Sequence, residues 1–213
     1  MSSIAGIRKD YKLKTFDETD AKAGAIDQFT EWWNEATHSE IDEVNAMTVA
    51  TVSSKGIPDA RIVLLKGFDE KGFVFFTNYE SRKGKELEEN PVACLVIFWK
   101  ELERQVRITG FAEKINSAES DAYFASRPEG SRIGAWASPQ STVITSRDVL
   151  EKNATHYRQQ FADGNIQRPP HWGGYIVKPS SIEFWQGRPS RMHDRLLYTL
   201  QENGGWRIER LAP

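Results

Sequence analysis

The chain has 213 residues, of which 39% are apolar and 27% charged, and its formal net charge is −2. This is the balance of an ordinary globular protein of one large domain or two small ones, and it excludes a global basic field that would draw in nucleic acid. The single cysteine, Cys94, excludes an internal disulfide, and in the apolar run Val92–Trp99 it reads as a small buried hydrophobe.

Residues 1–19 are polar and aperiodic and are expected to form an arm outside one domain spanning 20–213. Thr19 or Asp20 is a candidate cap for a helix in which Ile26, Phe29, Trp33 and Ala36 recur at helical spacing. Strands are expected at Met47–Ser53, Ala60–Lys66 and Phe73–Thr77, separated by the turn signals Lys-Gly-Ile-Pro and Asp-Glu-Lys-Gly. Ser81 is a candidate cap for a short charged helix ending near Asn90 and Pro91. Val92–Trp99 is a fully apolar strand, and Arg104–Lys114 alternates as another.

Helices are expected around Ala118–Ser126 and Ser146–Phe161, the second presenting Leu150, Ala154, Tyr157 and Phe161 on one face. After a Pro- and Gly-rich loop come strands at Tyr175–Lys178 and Ile182–Gln186. A hairpin follows, of Arg195–Leu200 and Trp206–Leu211 joined at Glu202–Gly205. Short strands with helices between them predict a mainly β, α+β class: an antiparallel barrel with helical decoration.

Several chemistries are missing. No GxGxxG follows a strand, and no GxxxxGK[ST] or GxSxG is present. His38, His156, His171 and His193 lack metal-ligand spacing. The residues MSSIAGIRKDYKLK lack the apolar core of a signal peptide. No run is long enough to span a bilayer, and lone-cysteine usage fits a reducing cytoplasm.

Cations occur in suggestive places. Arg61 and Lys66 bracket a strand, and Arg82 and Lys83 open the charged helix, where free N–H groups and paired cations suit a phosphate dianion or form an ordinary solvated helix start. Tyr123, Arg127, Ser131, Arg132, Gln140 and Ser141 crowd one span with phosphate-type donors. On composition alone, helix–loop–helix packing with solvated arginines accounts for that span slightly better. Trp185 stands near Arg188, Arg191, His193 and Arg195, a set suited to a flat, electron-poor ring. On an extended segment, Arg191 and His193 would face the same side.

The blocks RIVLLK, NYESRKG, ERQVRITG, SRPEGSRIGAWASPQS, IEFWQGRPSRMHDR and the terminal WRIERLAP, in this order, resemble the pyridoxamine 5′-phosphate oxidases. The resemblance runs from Ile7 to Pro213. It implies an FMN-binding split β-barrel that works as a cytoplasmic homodimer, with FMN at the subunit interface. The reaction it implies is oxidation of pyridoxamine 5′-phosphate and pyridoxine 5′-phosphate to pyridoxal 5′-phosphate, with dioxygen as acceptor.

The resemblance also implies roles. Arg61, Ile62, Val63, Leu64, Leu65 and Lys66 match a strand along FMN, and Phe76 and Thr77 a second contact. Arg82 and Lys83 match the FMN phosphate binders. Gln105, Gln140 and Ser141 match further flavin contacts, and Trp185 and Arg195 match contacts supplied across the dimer interface. Lys66, Tyr123, Arg127 and Ser131 match the substrate phosphate pocket. Arg191, Met192 and His193 match the stretch over the pyridine ring, Arg191 and His193 as its catalytic pair. Arg8, Lys9, Asp10 and Tyr11 match a mobile N-terminal lid. Two other readings are a flavin reductase or related split-barrel oxidoreductase, and a non-catalytic carrier of FMN or pyridoxal phosphate.

Overall fold

A computed structural model describes residues 4–6 and 9–213. The elements alternate as expected for strands with inserted helices. They are α1 (Ala25–Thr37), β1 (Ala46–Val52), β2 (Pro58–Leu64), β3 (Gly67–Asp69), β4 (Gly72–Asn78), α2 (Arg82–Glu89), β5 (Val92–Trp99) and β6 (Arg104–Lys114). The chain continues with α3 (Ser117–Ser126), α4 (Glu129–Ala137), α5 (Asp148–Gln160), β7 (Trp172–Gln186), β8 (Asp194–Leu200) and β9 (Trp206–Arg210). The strands pair in the order β2-β1-β5-β6-β7-β4-β3, with β8 on β7 and β9 on β8. The mainly β, antiparallel class with inserted helices is the one observed.

The chain divides into two compact units, one of Met1–Val49, Cys94–Gly110 and Pro179–Pro213, the other of Ala50–Ala93 and Phe111–Lys178. In the first, α1 buries Ile26, Phe29 and Trp32. Trp32 meets Phe16 at 5.0 Å and Phe184 at 5.2 Å between ring centroids. Fully burying such a ring contributes roughly 1.5–3 kcal/mol. Phe16 therefore belongs to the core, although its neighbours in sequence are polar. The helix starts at Gly24 with no side-chain cap, not at Thr19 or Asp20, and its buried tryptophan is Trp32, with Trp33 half-buried.

In the second unit, Phe73 and Phe75 of β4 are fully buried, and Phe124, Ile133, Ile166 and Trp172 form a cluster. Ser81 caps α2 as expected, its Oγ accepting from the Gly84 N–H at 3.3 Å. A Cβ at Gly84 would lie 2.1 Å from the Tyr79 carbonyl oxygen, so the tight entry to α2 needs glycine.

Four further elements differ from expectation. α4 is not apparent in the sequence, because Gly130 and Gly134 each lower helix propensity by about 1 kcal/mol. β3 is a three-residue strand, Gly67–Asp69, that runs into the Asp-Glu-Lys-Gly turn signal. β7 is one strand through Pro179, not two. It pairs with β4 over Trp172–Val177 and with β8 over Ser181–Gln186, so the proline, which has no N–H to give, falls where the strand changes partner. On β5 every second residue, Ala93 to Trp99, is buried, which leaves Cys94 half-exposed rather than buried and Phe98 51% exposed.

Candidate active site

In the second unit, β2, β4, α2, α3, α4 and the segment after α4 surround a cavity of ≈ 470 Å³. Ile62, Val63, Leu64 and Lys66 line one part and Phe76 and Thr77 another, with Lys83, Tyr123, Arg127, Ser131 and Gln140 completing the expected residues. Phe76 stacks on Tyr123 at 3.9 Å and on Trp172 at 5.4 Å.

Among the described residues, two cations in this cavity have no ion-pair partner. Lys83 is buried, and its Nζ donates to Thr77 Oγ1 at 3.0 Å and Gln140 Oε1 at 3.1 Å, both neutral. Burial and the nearby Arg61 guanidinium push its pKa down to about 8. Arg127 lays its guanidinium over Trp172 at 4.6 Å, and its Nη1 is buried with no hydrogen-bond partner. Leaving a buried donor unmet costs about 1–3 kcal/mol, more for a charged group. Among the described residues, Lys66, Lys83 and Arg127 make no ion pair. The cavity is thus shaped to receive an anion with several acceptor oxygens, such as a phosphate.

Arg61 and Arg82 differ. Arg61 reaches Asp59 at 2.5 Å and Glu86 at 3.3 Å, and Arg82 lies 3.1 Å from each of the same two carboxylates. Although burial raises it, the Asp59 carboxyl is held below its ordinary range by Arg61 and Arg82. Neither arginine is among the cavity-lining residues. Leu65 is buried, and Ser141 is exposed with φ 68°.

In the first unit, Lys9, Asp10, Tyr11, Arg188, Ser190, Arg191 and His193 line a cavity of ≈ 660 Å³. The extended geometry expected for Arg191 to His193 is not found. Pro189–Arg191 is a 3-10 turn, and Ser190 and Arg191 have φ of 57° and 62°. Two adjacent non-glycine residues in the left-handed region cost about 1–3 kcal/mol each, and such strain gathers at functional sites. The turn brings Arg191 and His193 to one cavity by a different route.

His193 Nδ1 accepts from the Arg188 N–H at 3.0 Å, which leaves Nε2–H as the donor of the neutral ring. Burial, then Arg191 and Arg195, lowers its pKa against the opposing pull of Asp194. Its ring lies 4.6 Å from Trp185, and Tyr11 stands edge-on to both. Arg195 is held by the buried Glu183 at 2.8 Å and donates to the Ala212 carbonyl at 2.7 Å. Met192 is 68% exposed and does not line the cavity, and Gln105 is half-buried on β6. Arg8 lies outside the described residues.

A family model described as pyridoxamine 5′-phosphate oxidase matches residues 34–161, and one described as the pyridoxine 5′-phosphate oxidase C-terminal dimerisation region matches 172–213. The pyridoxine/pyridoxamine 5′-phosphate oxidase of Paraburkholderia phymatum is 57% identical over the full length of both chains. The chain belongs to the pyridoxamine 5′-phosphate oxidase family. The oxidase of the same name from Nostoc punctiforme is 54% identical over 99% of each chain. Among solved structures, PhzG from Burkholderia lata, in complex with tetrahydrophenazine-1-carboxylic acid, superposes with TM-score 0.88 at 29% identity, covering 96% of this chain and 100% of that one. A pyridoxamine 5′-phosphate oxidase-related, FMN binding protein from Nostoc punctiforme shares the fold, with TM-score 0.70 at 18% identity over 91% of this chain and 100% of that one.

Within this family member, the sequence reading did not select Asn78, Pro128 and Trp172 of the first cavity described, nor Ser190 of the second, as site residues, and it gave Arg188 no role beyond a place in the ring-suited set. Asn78 directly follows the selected Phe76–Thr77 pair, and Arg188 stands in the block that carried Arg191. Trp172 gives no local signal, because its contact with Arg127 is made across 45 residues of chain.

Proposed function

We propose that the chain oxidises pyridoxamine 5′-phosphate and pyridoxine 5′-phosphate to pyridoxal 5′-phosphate, with FMN as cofactor and dioxygen as acceptor, as a cytoplasmic homodimer. The observation that carries this reading is the pair of uncompensated cations, Lys83 and Arg127, in a cavity walled by aromatic rings. Flavin and substrate each bring a phosphate, so two anion-seeking groups suit the pair. The family membership and the C-terminal dimerisation match support the same reading. Bound here, FMN would supply the acceptor for a hydride equivalent from C4′ of the substrate and the redox link to dioxygen.

The chain's own residues bind and orient. Lys83, set by Thr77 and Gln140, takes the flavin phosphate, with Arg61, Arg82 and Ser141 at the margin and Ile62, Val63, Leu64 and Phe76 along the flavin. Arg127, with Lys66, Tyr123 and Ser131, takes the substrate phosphate. Fixing the phosphate, remote from C4′, reduces the entropic part of the barrier. Arg191 stacks on the pyridine ring, and His193 donates from Nε2–H to the ring hydroxyl. Arg195, oriented by Glu183, and Trp185 would reach the flavin across the dimer interface, Arg195 as a positive charge beside it, with Gln105 as a further contact. Lys9, Asp10 and Tyr11 limit the access of water.

A second reading is suggested by the likeness to PhzG, whose structure holds a tricyclic carboxylic acid. A phosphate needs more donors than a carboxylate, and the Lys66, Tyr123, Arg127 and Ser131 group favours the phosphate. The visible spectrum decides. The purified protein is expected to be yellow and to bleach anaerobically on adding pyridoxamine 5′-phosphate. A yellow protein that bleaches only with an aromatic carboxylic acid selects the second reading, and a colourless one ends both. Solution mass tests the dimer, and a stable monomer retaining stoichiometric FMN contradicts it.

A further inference from the structure

Glu103 belongs to none of these roles, yet it is placed at some cost. It follows the short 3-10 turn Lys100–Leu102, with φ 54°, and is only 3% exposed. A long acidic side chain is unfavourable on both counts, since positive φ is uncommon outside glycine and carboxylates are rarely buried without partners.

The partners explain the placement. Glu103 Oε2 accepts the N–H of Lys12 at 2.7 Å and of Leu13 at 3.1 Å, and Oε1 lies 3.7 Å from Lys9 Nζ. Its main-chain carbonyl accepts the Gly187 N–H at 2.7 Å and Gln186 Nε2 at 3.2 Å. One residue therefore grips two strips of chain. With its side chain it holds the stretch carrying Lys9, Asp10 and Tyr11. With its backbone it holds the start of the turn that leads to Arg191 and His193.

The two strips meet closely. A Cβ at Gly187 would lie 2.7 Å from Tyr11 Cγ, so the tyrosine ring rests on bare backbone. The next anchor along the arm is Phe16, whose ring is buried and whose N–H donates to Asp194 Oδ2 at 3.1 Å. Between these anchors Lys12 to Thr15 are exposed. The segment has little apolar burial of its own, and such segments open at low free energy unless polar contacts hold them.

We propose that Glu103 is the latch of the N-terminal arm. It is a positioning residue that seats Lys9, Asp10 and Tyr11 in the wall of the His193 cavity. Its effect on substrate rests on the oxidase reading above, whereas the latch itself does not. Releasing it frees the arm and leaves the Lys83 cavity intact.

The test uses the full-length, flavin-loaded protein and Glu103→Gln, which preserves shape and removes the charge. A charge-assisted hydrogen bond contributes roughly 1.5–3 kcal/mol, so amide exchange at Lys12 and Leu13 is expected to rise about tenfold or more. Exchange along β6 and β8 is expected to stay at the wild-type rate. KM for pyridoxamine 5′-phosphate should rise severalfold, with kcat and FMN occupancy unchanged. Gly187→Ala is the second variant. It pushes a methyl group against Tyr11 while Glu103 stays in place, and it should loosen residues 9–13 and raise KM in the same way. Unchanged exchange at Lys12 and Leu13 overturns the latch, as does an equal rise throughout β6 and β8, and a KM that stays fixed while the arm loosens overturns its positioning of the cavity wall. If the wild type does not oxidise the substrate but the arm still loosens in both variants, the oxidase reading fails and the latch stands.

Discussion

Lys83 and Arg127 share a cavity in which, among the described residues, neither has a carboxylate within ion-pair reach, whereas around His193 the cations are largely matched. Arg188 meets Asp194 at 3.0 Å, Arg195 meets Glu183 at 2.8 Å, and Lys9 lies 3.7 Å from Glu103. The two regions carry similar numbers of basic side chains but offer different chemistry. Unmatched buried cations are stabilised only when a ligand brings negative charge. Matched ones have their charge committed, and they offer shape, stacking and directed donors instead. On the proposed function, the first cavity would set affinity for phosphates and the second the presentation of a bound ring.

The largest expected effect is that of Arg127→Ala. Losing a charge-assisted hydrogen bond of roughly 1.5–3 kcal/mol should raise KM for phosphorylated substrate by about one to two powers of ten, with FMN content retained. Steady-state kinetics beside the flavin absorbance measure both. A variant that loses its colour while keeping its KM would reverse the two phosphate assignments.

Lys83→Ala should weaken FMN binding by about tenfold or more on the same reasoning. Sequence alone expects Arg82→Ala to match it. The structure predicts a smaller loss, because Asp59 and Glu86 already hold Arg82. Titrating both apoproteins with FMN sharpens the comparison, and equal losses would place Arg82 on the phosphate.

The depressed pKa of Lys83, about 8, gives a pH signature. The protonated amine is the anion-binding form, so FMN affinity should fall above pH 8, by up to about tenfold per unit since one proton is involved. The total fall cannot exceed that of Lys83→Ala. The sign for stability is opposite. Between about 8 and the ordinary 10.5 the unfolded chain holds a proton that the folded apoprotein has released, so apoprotein stability should rise with pH there. Affinity that is flat from pH 7 to 10 would remove Lys83 from the flavin phosphate.

The smallest effect belongs to His193→Ala. A neutral hydrogen bond contributes roughly 0.5–1.5 kcal/mol, so kcat/KM should fall about two- to tenfold, and less than for Arg191→Ala, which loses the stacked group. Anaerobic single-turnover bleaching separates this step from reoxidation. The lowered pKa predicts an acid limb below 6.5 in the wild type that is absent from the variant. Wild-type bleaching rates in both variants at saturating substrate would reduce these residues to binding alone.

Much of the fold was legible because it is written locally. An unbroken apolar run places β5, and alternation β6, at their observed ends, and Ser81 marks the start of α2. The ordered blocks from RIVLLK to RLAP identify the family, and most of the residues they single out meet in two cavities. Helix α4 escaped because its glycines weaken the local signal, and β7 because a proline inside a strand reads as a break until its partners are known.

The sequence by itself determined which residue types are available, where most strands run and which cations cluster along the chain. Only the tertiary structure decided which of those cations remain unpaired. Glu86, which with Asp59 neutralises Arg82, is set by Thr51 from 35 residues away, and the left-handed turn at Ser190 and Arg191 replaced an extended strand. Glu103 shows the limit most clearly, since it binds Lys12 across 91 residues. Charge compensation depends on distance in space and on burial. Neither has a period or a motif, so neither can be read along the chain.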